Sequence, residues 1–168
     1  VSMSAIHALE LPGTAAPAGS VRSAAKRLRT TRAYCRYFEF TASEMRSNCT
    51  QTFGIGICTA IPTKHMHIYE HASKLPTSTI IGYDLPRVYF ENEERAKVPT
   101  AEWRPLKEVQ TNDTVGLMAL VREDKSSELV VFHNGMQKFT YPMPATQSLD
   151  LDKIVGVLDV RGTLVTAQ

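Results

Sequence analysis

Val115-Gly-Leu-Met-Ala-Leu-Val121, followed by Leu129-Val-Val-Phe132 and then His133-Asn134-Gly135, decides the fold. The first run is apolar on both faces, as a fully buried strand requires. Asn-Gly tolerates the positive φ angles that a type I′ turn needs at both central residues, so the second run should turn back on itself as a hairpin. The same pattern extends outward. Phe53, Ile55 and Ile57 alternate with Gly54, Gly56 and Cys58, which gives a strand with one bulky and one small face. Tyr34-Cys-Arg-Tyr-Phe-Glu-Phe40 is dense in aromatics that suit a pleated, half-buried surface. Ile154–Leu158 and Thr163–Thr166 read as two short strands about a turn at Arg161-Gly162. No stretch of helical length carries a 3.6-residue period; Ser23–Thr30 and His65–Lys74 offer at most a turn or two of helix. About nine or ten short strands separated by turn signals predict an all-β fold, an antiparallel sandwich or barrel. Phe53, Ile55, Ile57, Val115, Leu117, Val131, Ile154 and Leu158 are its expected core.

The 168 residues amount to roughly one domain, with 43% hydrophobic and 21% charged residues, values that exclude wholesale disorder. No apolar run approaches the roughly 20 residues of a membrane helix. The formal net charge of +2 is too small to argue for nucleic acid by itself. Its distribution is uneven, however: residues 1–36 carry +5 and the remainder −3. The chain therefore divides into an amino-terminal basic and loop segment, 1–33, with one or two edge strands, and a sandwich spanning 34–168. Three cysteines, Cys35, Cys49 and Cys58, form no CxxC pair and no disulfide framework, which favours an intracellular, cytoplasmic setting. The sequons at Asn48 and Asn112 point weakly the other way. The first residues lack the basic start and apolar block of a signal peptide. An opening on Val1 rather than Met suggests a piece of something longer or a processed chain.

No phosphate loop, HExxH, GxSxG or kinase signature is present. Gly54-Ile-Gly56 fills only two positions of a dinucleotide fingerprint and sits inside a strand. His65, His67 and His71, with Glu70, have side chains that can ligate zinc and so carry a metal-dependent enzyme as one alternative; solvated loop histidines are the competing reading. Cys58 with His133 could pair as nucleophile and base, but a thiol on the small-residue face of an apolar strand reads as buried and inert. The expectation is no catalytic residue, no metal and no cofactor. Arg22, Lys26, Arg27, Arg29 and Arg32, with Tyr34 and Tyr37 interleaved, have the chemistry for a polyanion such as nucleic acid, or for an acidic surface such as a microtubule. A solvated basic strand or loop is the bland alternative.

Taken in order, the strands resemble the SPRY superfamily, and within it the neuralized-homology branch. Tyr37-Phe-Glu-Phe40 is similar to an early YFEV-type strand and Gly54-Ile-Gly-Ile57 to the IGIG-type strand that follows. Asn112-Asp-Thr-Val-Gly-Leu-Met118 resembles a GDTVGVM strand entry, and Leu129-Val-Val-Phe-His-Asn-Gly135 an LHFFVNG hairpin. Val157-Leu-Asp-Val-Arg-Gly162 resembles the VVDLYG strand near the end of neuralized repeats, and Leu75-Pro-Thr-Ser-Thr79 a short LPST-like stretch. The likeness spans residues 34–166; Asn112 departs from the usual glycine, Arg161 from an aromatic, and 82–106 fits loosely. It implies a bent, concanavalin-like β-sandwich of jelly-roll type that holds another protein without catalysis. Edge loops supply the shallow recognition surface in such modules, which often sit inside larger chains such as ubiquitin-ligase adaptors or flagellar assemblies.

Function expected from the sequence is thus a non-catalytic adaptor or scaffold domain binding a partner peptide or surface through inter-strand loops. A structural subunit of a ribonucleoprotein, cytoskeletal or flagellar complex, anchored by the basic segment, is the other alternative. Tyr69, Trp103 and Arg104 are the expected partner anchors. Tyr69 lies in a polar loop with little core to join. Trp103 sits in a proline-marked segment unsuited to a central strand, and Arg104 offers a planar fork to carbonyl or carboxylate oxygens. Trp103 plugging the sandwich edge is the rival reading.

Overall fold

The structure, a computed structural model, describes residues 6–10, 32–45, 53–59, 71–83, 85–147, 149–160 and 164–167. Among these run eleven strands: β1 (Ile6–Glu10), β2 (Arg32–Met45), β3 (Gly54–Cys58), β4 (Ser78–Gly82), β5 (Arg87–Phe90), β6 (Glu93–Lys97), β7 (Thr114–Arg122), β8 (Ser127–His133), β9 (Met136–Pro142), β10 (Val155–Asp159) and β11 (Leu164–Ala167). The helical elements among them are one 3-10 turn, Ala72–Lys74, and a single α-turn, α1 (Pro105–Glu108). Of the helical option at His65–Lys74, the last three residues form the 3-10 turn; 65–70 lie outside the described residues, as does Ser23–Thr30.

Two antiparallel sheets form the sandwich. The first runs β1-β2-β7-β8-β9, with β11 also paired to β2; the second runs β10-β3-β4-β5-β6. β2 is long enough to serve two partners on one edge: Ile6–Glu10 lie along Arg32–Arg36, and β11 along its far end. β10 and β11 are both strands, as expected, but they belong to different sheets and do not make a hairpin. The residues of the turn between them lie outside the described residues.

Period-2 alternation does the sorting. Phe38, Phe40 and Ala42 of β2, Val115, Leu117 and Ala119 of β7, and Leu129 and Val131 of β8 face inward from the first sheet. Phe53 with Ile55 and Ile57 of β3, Ile81 of β4 and Val88 of β5 meet them from the second. Seven of the eight expected core residues are buried, and Leu158 is half-buried against the same cluster. The opposite side of β3 carries Gly54 and Gly56 because Ile80 fills the space above them: a methyl on Gly56 would overlap the Thr79 carbonyl and the Ile80 backbone. The β8–β9 hairpin turns at Asn134 and Gly135, with φ of 51° and 75°, the positive pair expected from Asn-Gly.

Edge strand β6 reads Glu-Glu-Arg-Ala-Lys and is almost wholly exposed. Charged side chains along an open edge discourage pairing with another chain. No helix among the described residues is long and apolar enough to cross a membrane.

Candidate functional site

Trp103 is fully enclosed. It meets Phe53 edge to face, with centroids 6.1 Å apart, inside the core that both sheets share. The partner-anchor reading of Trp103 is corrected: the segment between β6 and α1 turns its indole into the core, which leaves no surface for a partner. Arg104, next to it, is half-buried; its backbone N–H donates to Glu108 Oε1 at 2.6 Å, closing the start of α1. The Arg104 Nε atom is buried without a hydrogen-bond partner. Tyr69 lies outside the described residues, as do His65, His67, Arg22, Lys26, Arg27 and Arg29. Arg32 is exposed at the start of β2. Arg36, by contrast, is structural, donating through Nη1 to the carbonyls of Leu151 at 3.0 Å and Ile154 at 2.7 Å.

Two polar clusters stand out. The first ties the loop before β7 to the β8–β9 hairpin. Asp113 Oδ2 lies 2.8 Å from His133 Nε2 and accepts the Gln110 N–H, while Oδ1 accepts from Asn134 Nδ2 at 2.8 Å. Asn134 Oδ1 in turn accepts the Thr114 N–H. Burial alone would raise the Asp113 carboxyl, but the hydrogen bonds from Asn134, His133 and Gln110 outweigh it and hold the group below its ordinary value. A carboxyl depressed in the folded state contributes stability that is fully present above the ordinary value of about 3.9 and lost as pH falls through the lower folded value. Acid titration of the unfolding midpoint should therefore show a fall in that window, and Asp113→Asn should remove this component of it. Identical acid profiles for the two proteins would contradict the clip. His133 is engaged here on the first sheet while Cys58 is buried on the second, so no Cys58–His133 pair exists.

The second cluster sits on the outer face of the second sheet. β10 places Asp159 opposite Gly54 and β4 places Gly82 opposite the same glycine, which brings Tyr83 beside Asp159. Tyr83 O–H donates to Asp159 Oδ2 at 2.9 Å; Ala72 N–H donates to the same oxygen at 2.7 Å. Ser73 N–H donates to the Tyr83 oxygen at 3.1 Å. The 3-10 turn is thereby fastened over the sheet, and His71 Nδ1 comes within 4.0 Å of Asp159 Oδ2. Burial, then the nearby Asp159 charge, push the Tyr83 hydroxyl far above its usual range, so it acts as a donor throughout the physiological range.

Three rings follow in file from this clip. His71 and Tyr83 meet edge to face at 5.5 Å, and Tyr83 and Tyr89 at 5.4 Å. All three are part-exposed, and Leu85, two residues from Tyr83, is 58% exposed. Arg87 and Glu94 pair at 3.0 Å beside Tyr89. An apolar, aromatic centre with a charged rim is the composition of binding patches. Neither Tyr83 nor Tyr89 is singled out by the sequence; His71 is named there only as a possible metal ligand, and Asp159 lies in a quoted motif without a role. Among the described residues no group of three or more His, Cys, Asp or Glu side chains is arranged to hold a metal ion.

No protein-family model and no curated protein matches the chain. Among solved structures it is similar to a human SPRY domain, at 16% identity and a TM-score of 0.42, over 77% of this chain and 80% of that one. The two-sheet sandwich itself rests on the strand pairing described above.

Proposed function

We propose that this chain is a non-catalytic protein–protein interaction module that receives a partner peptide or surface on the outer face of its second sheet. The observation that carries it is the file of part-exposed rings His71–Tyr83–Tyr89, held in place by the Asp159 clip. Rigid aromatic side chains supply large contact area at low entropic cost, and pre-organisation by a buried carboxylate lowers that cost further. His71 Nδ1 is buried and faces Asp159 Oδ2 at 4.0 Å, which helps to orient the ring. Tyr69, two residues ahead of His71 in the sequence, and Arg104, at the start of α1, are kept as separate proposed anchors. The ordered motifs that resemble neuralized-homology repeats imply the same kind of role.

Panning a displayed random-peptide library against the purified protein tests this. Enriched peptides should lose at least about tenfold in affinity, roughly 1.4 kcal/mol, on Tyr89→Ala, the loss expected of a single aromatic hot spot. They should bind Arg122→Ala, altered on the first sheet, as tightly as the parent. Peptides indifferent to Tyr89→Ala, or failure of any peptide to enrich, would overturn the assignment of this face.

A further inference from the structure

Asn134-Gly135 joins two features that determine the fate of an asparagine. The pair is exposed at the tip of the β8–β9 hairpin, and the residue after Asn134 has no side chain to shield its backbone nitrogen, with open space around the Gly135 Cα. The carboxamide itself is held at both ends: Nδ2 donates to Asp113 Oδ1 and Oδ1 accepts from Thr114 N–H, each at 2.8 Å. The Asn134 backbone N–H is fixed as well, donating to Thr114 O at 2.8 Å.

We infer that Asn134 is a deamidation site kept closed by Asp113. In the reaction, the Gly135 backbone nitrogen loses its proton to solvent and bonds to Asn134 Cγ. The Cγ–Nδ2 bond breaks, Nδ2 takes up one proton from water and leaves as ammonia, and water then opens the succinimide to aspartate or isoaspartate. No oxidant or reductant enters. Ring closure has to pull Cγ out of the plane that Asp113 and Thr114 hold, and it must protonate a nitrogen whose neighbour is an ionised carboxylate with no proton to give. The aspartate product sets a carboxylate where Nδ2 stood, directly against Asp113 Oδ1, so that two like charges face each other; the isoaspartate product draws Cγ into the backbone and loses the carboxamide altogether. Either way the clip between the β7 entry and the hairpin is lost. The site is therefore a one-way chemical switch for this end of the sandwich, opened by whatever frees Asp113.

The test is incubation of the intact protein at neutral pH, with aspartate and isoaspartate at 134 measured by mass spectrometry. A synthetic peptide spanning 129–141 is the unclipped reference. The protein should deamidate about ten- to a hundredfold more slowly than the peptide, the rate difference expected from losing one charge-assisted hydrogen bond on the way to the transition state. Asp113→Ala should move the rate toward that of the peptide. Leu117→Ala, which weakens the core without touching the clip, should leave it near the parent value and so separates release of the carboxamide from general loosening. An intact protein that deamidates as fast as the peptide, an Asp113→Ala rate equal to the parent, or equal acceleration by Leu117→Ala would each overturn the inference.

Discussion

Replacing Trp103 by alanine should destabilise the fold by about 3–5 kcal/mol, the range for removing a large buried aromatic. The indole is wholly enclosed in the cluster that both sheets share, so the cavity left behind would lie in the core rather than at an accommodating surface. Its ring nitrogen has no hydrogen-bond partner. Trp103→Phe, which keeps most of the ring volume and removes that unsatisfied donor, should accordingly cost much less. Urea unfolding distinguishes the cases, with a midpoint that drops sharply at constant slope for alanine and modestly for phenylalanine. A surface anchor would behave differently: stability would stay within about 0.5 kcal/mol of the parent while partner affinity collapsed. An unchanged midpoint for Trp103→Ala would return the residue to the surface.

Leu117→Ala should cost about 2–5 kcal/mol by the same cavity mechanism. Leu117 stands mid-strand in β7, flanked by β2 through Phe38 and by β8 through Val131, and its side chain is completely buried. A central strand cannot relax into such a gap as an edge strand can, which favours the upper part of the range. In a protein of this size each kcal/mol moves the thermal midpoint by roughly 2–4 °C. Circular dichroism melts of parent and variant measure it directly, and superimposable melts would be incompatible with an inward-facing Leu117.

What could be read in advance was local. The alternation in Phe53–Ile57 and the Asn-Gly pair each act within a few residues, and both landed where expected. Trp103 failed for the opposite reason. Its neighbours Pro99 and Pro105 correctly marked a break from strand structure, but whether the indole points out or turns into the core depends on residues distant in sequence, such as Phe53, that no short window contains. The ring file is harder still. His71, Tyr83, Tyr89 and Asp159 come from a turn, a strand end, an edge-side strand and a strand near the carboxyl end, and they meet only because β3 pairs with both β4 and β10. Asp159 and His71 could be found in the sequence, the one in a motif and the other as a possible metal ligand; that they meet Tyr83 and Tyr89 could be found only through the pairing.

That same pairing has a consequence for how the protein comes into being. β2 must wait for β7 some 70 residues later, and β3 is joined on one side by β10, which lies about 100 residues further along. Six of the nine strand pairings among the described residues join consecutive strands, but the three that close the sheets, β2–β7, β2–β11 and β3–β10, must wait for distant chain. Folding of such non-local β topologies takes milliseconds to seconds, slow beside helical bundles. On a ribosome the β3–β4–β5–β6 meander would emerge with one flank of β3 uncovered and its apolar face bare until the far end is released. The early product is thus a natural client for chaperones, and a truncation ahead of β10 should yield a sticky, unfinished sheet rather than a smaller working domain.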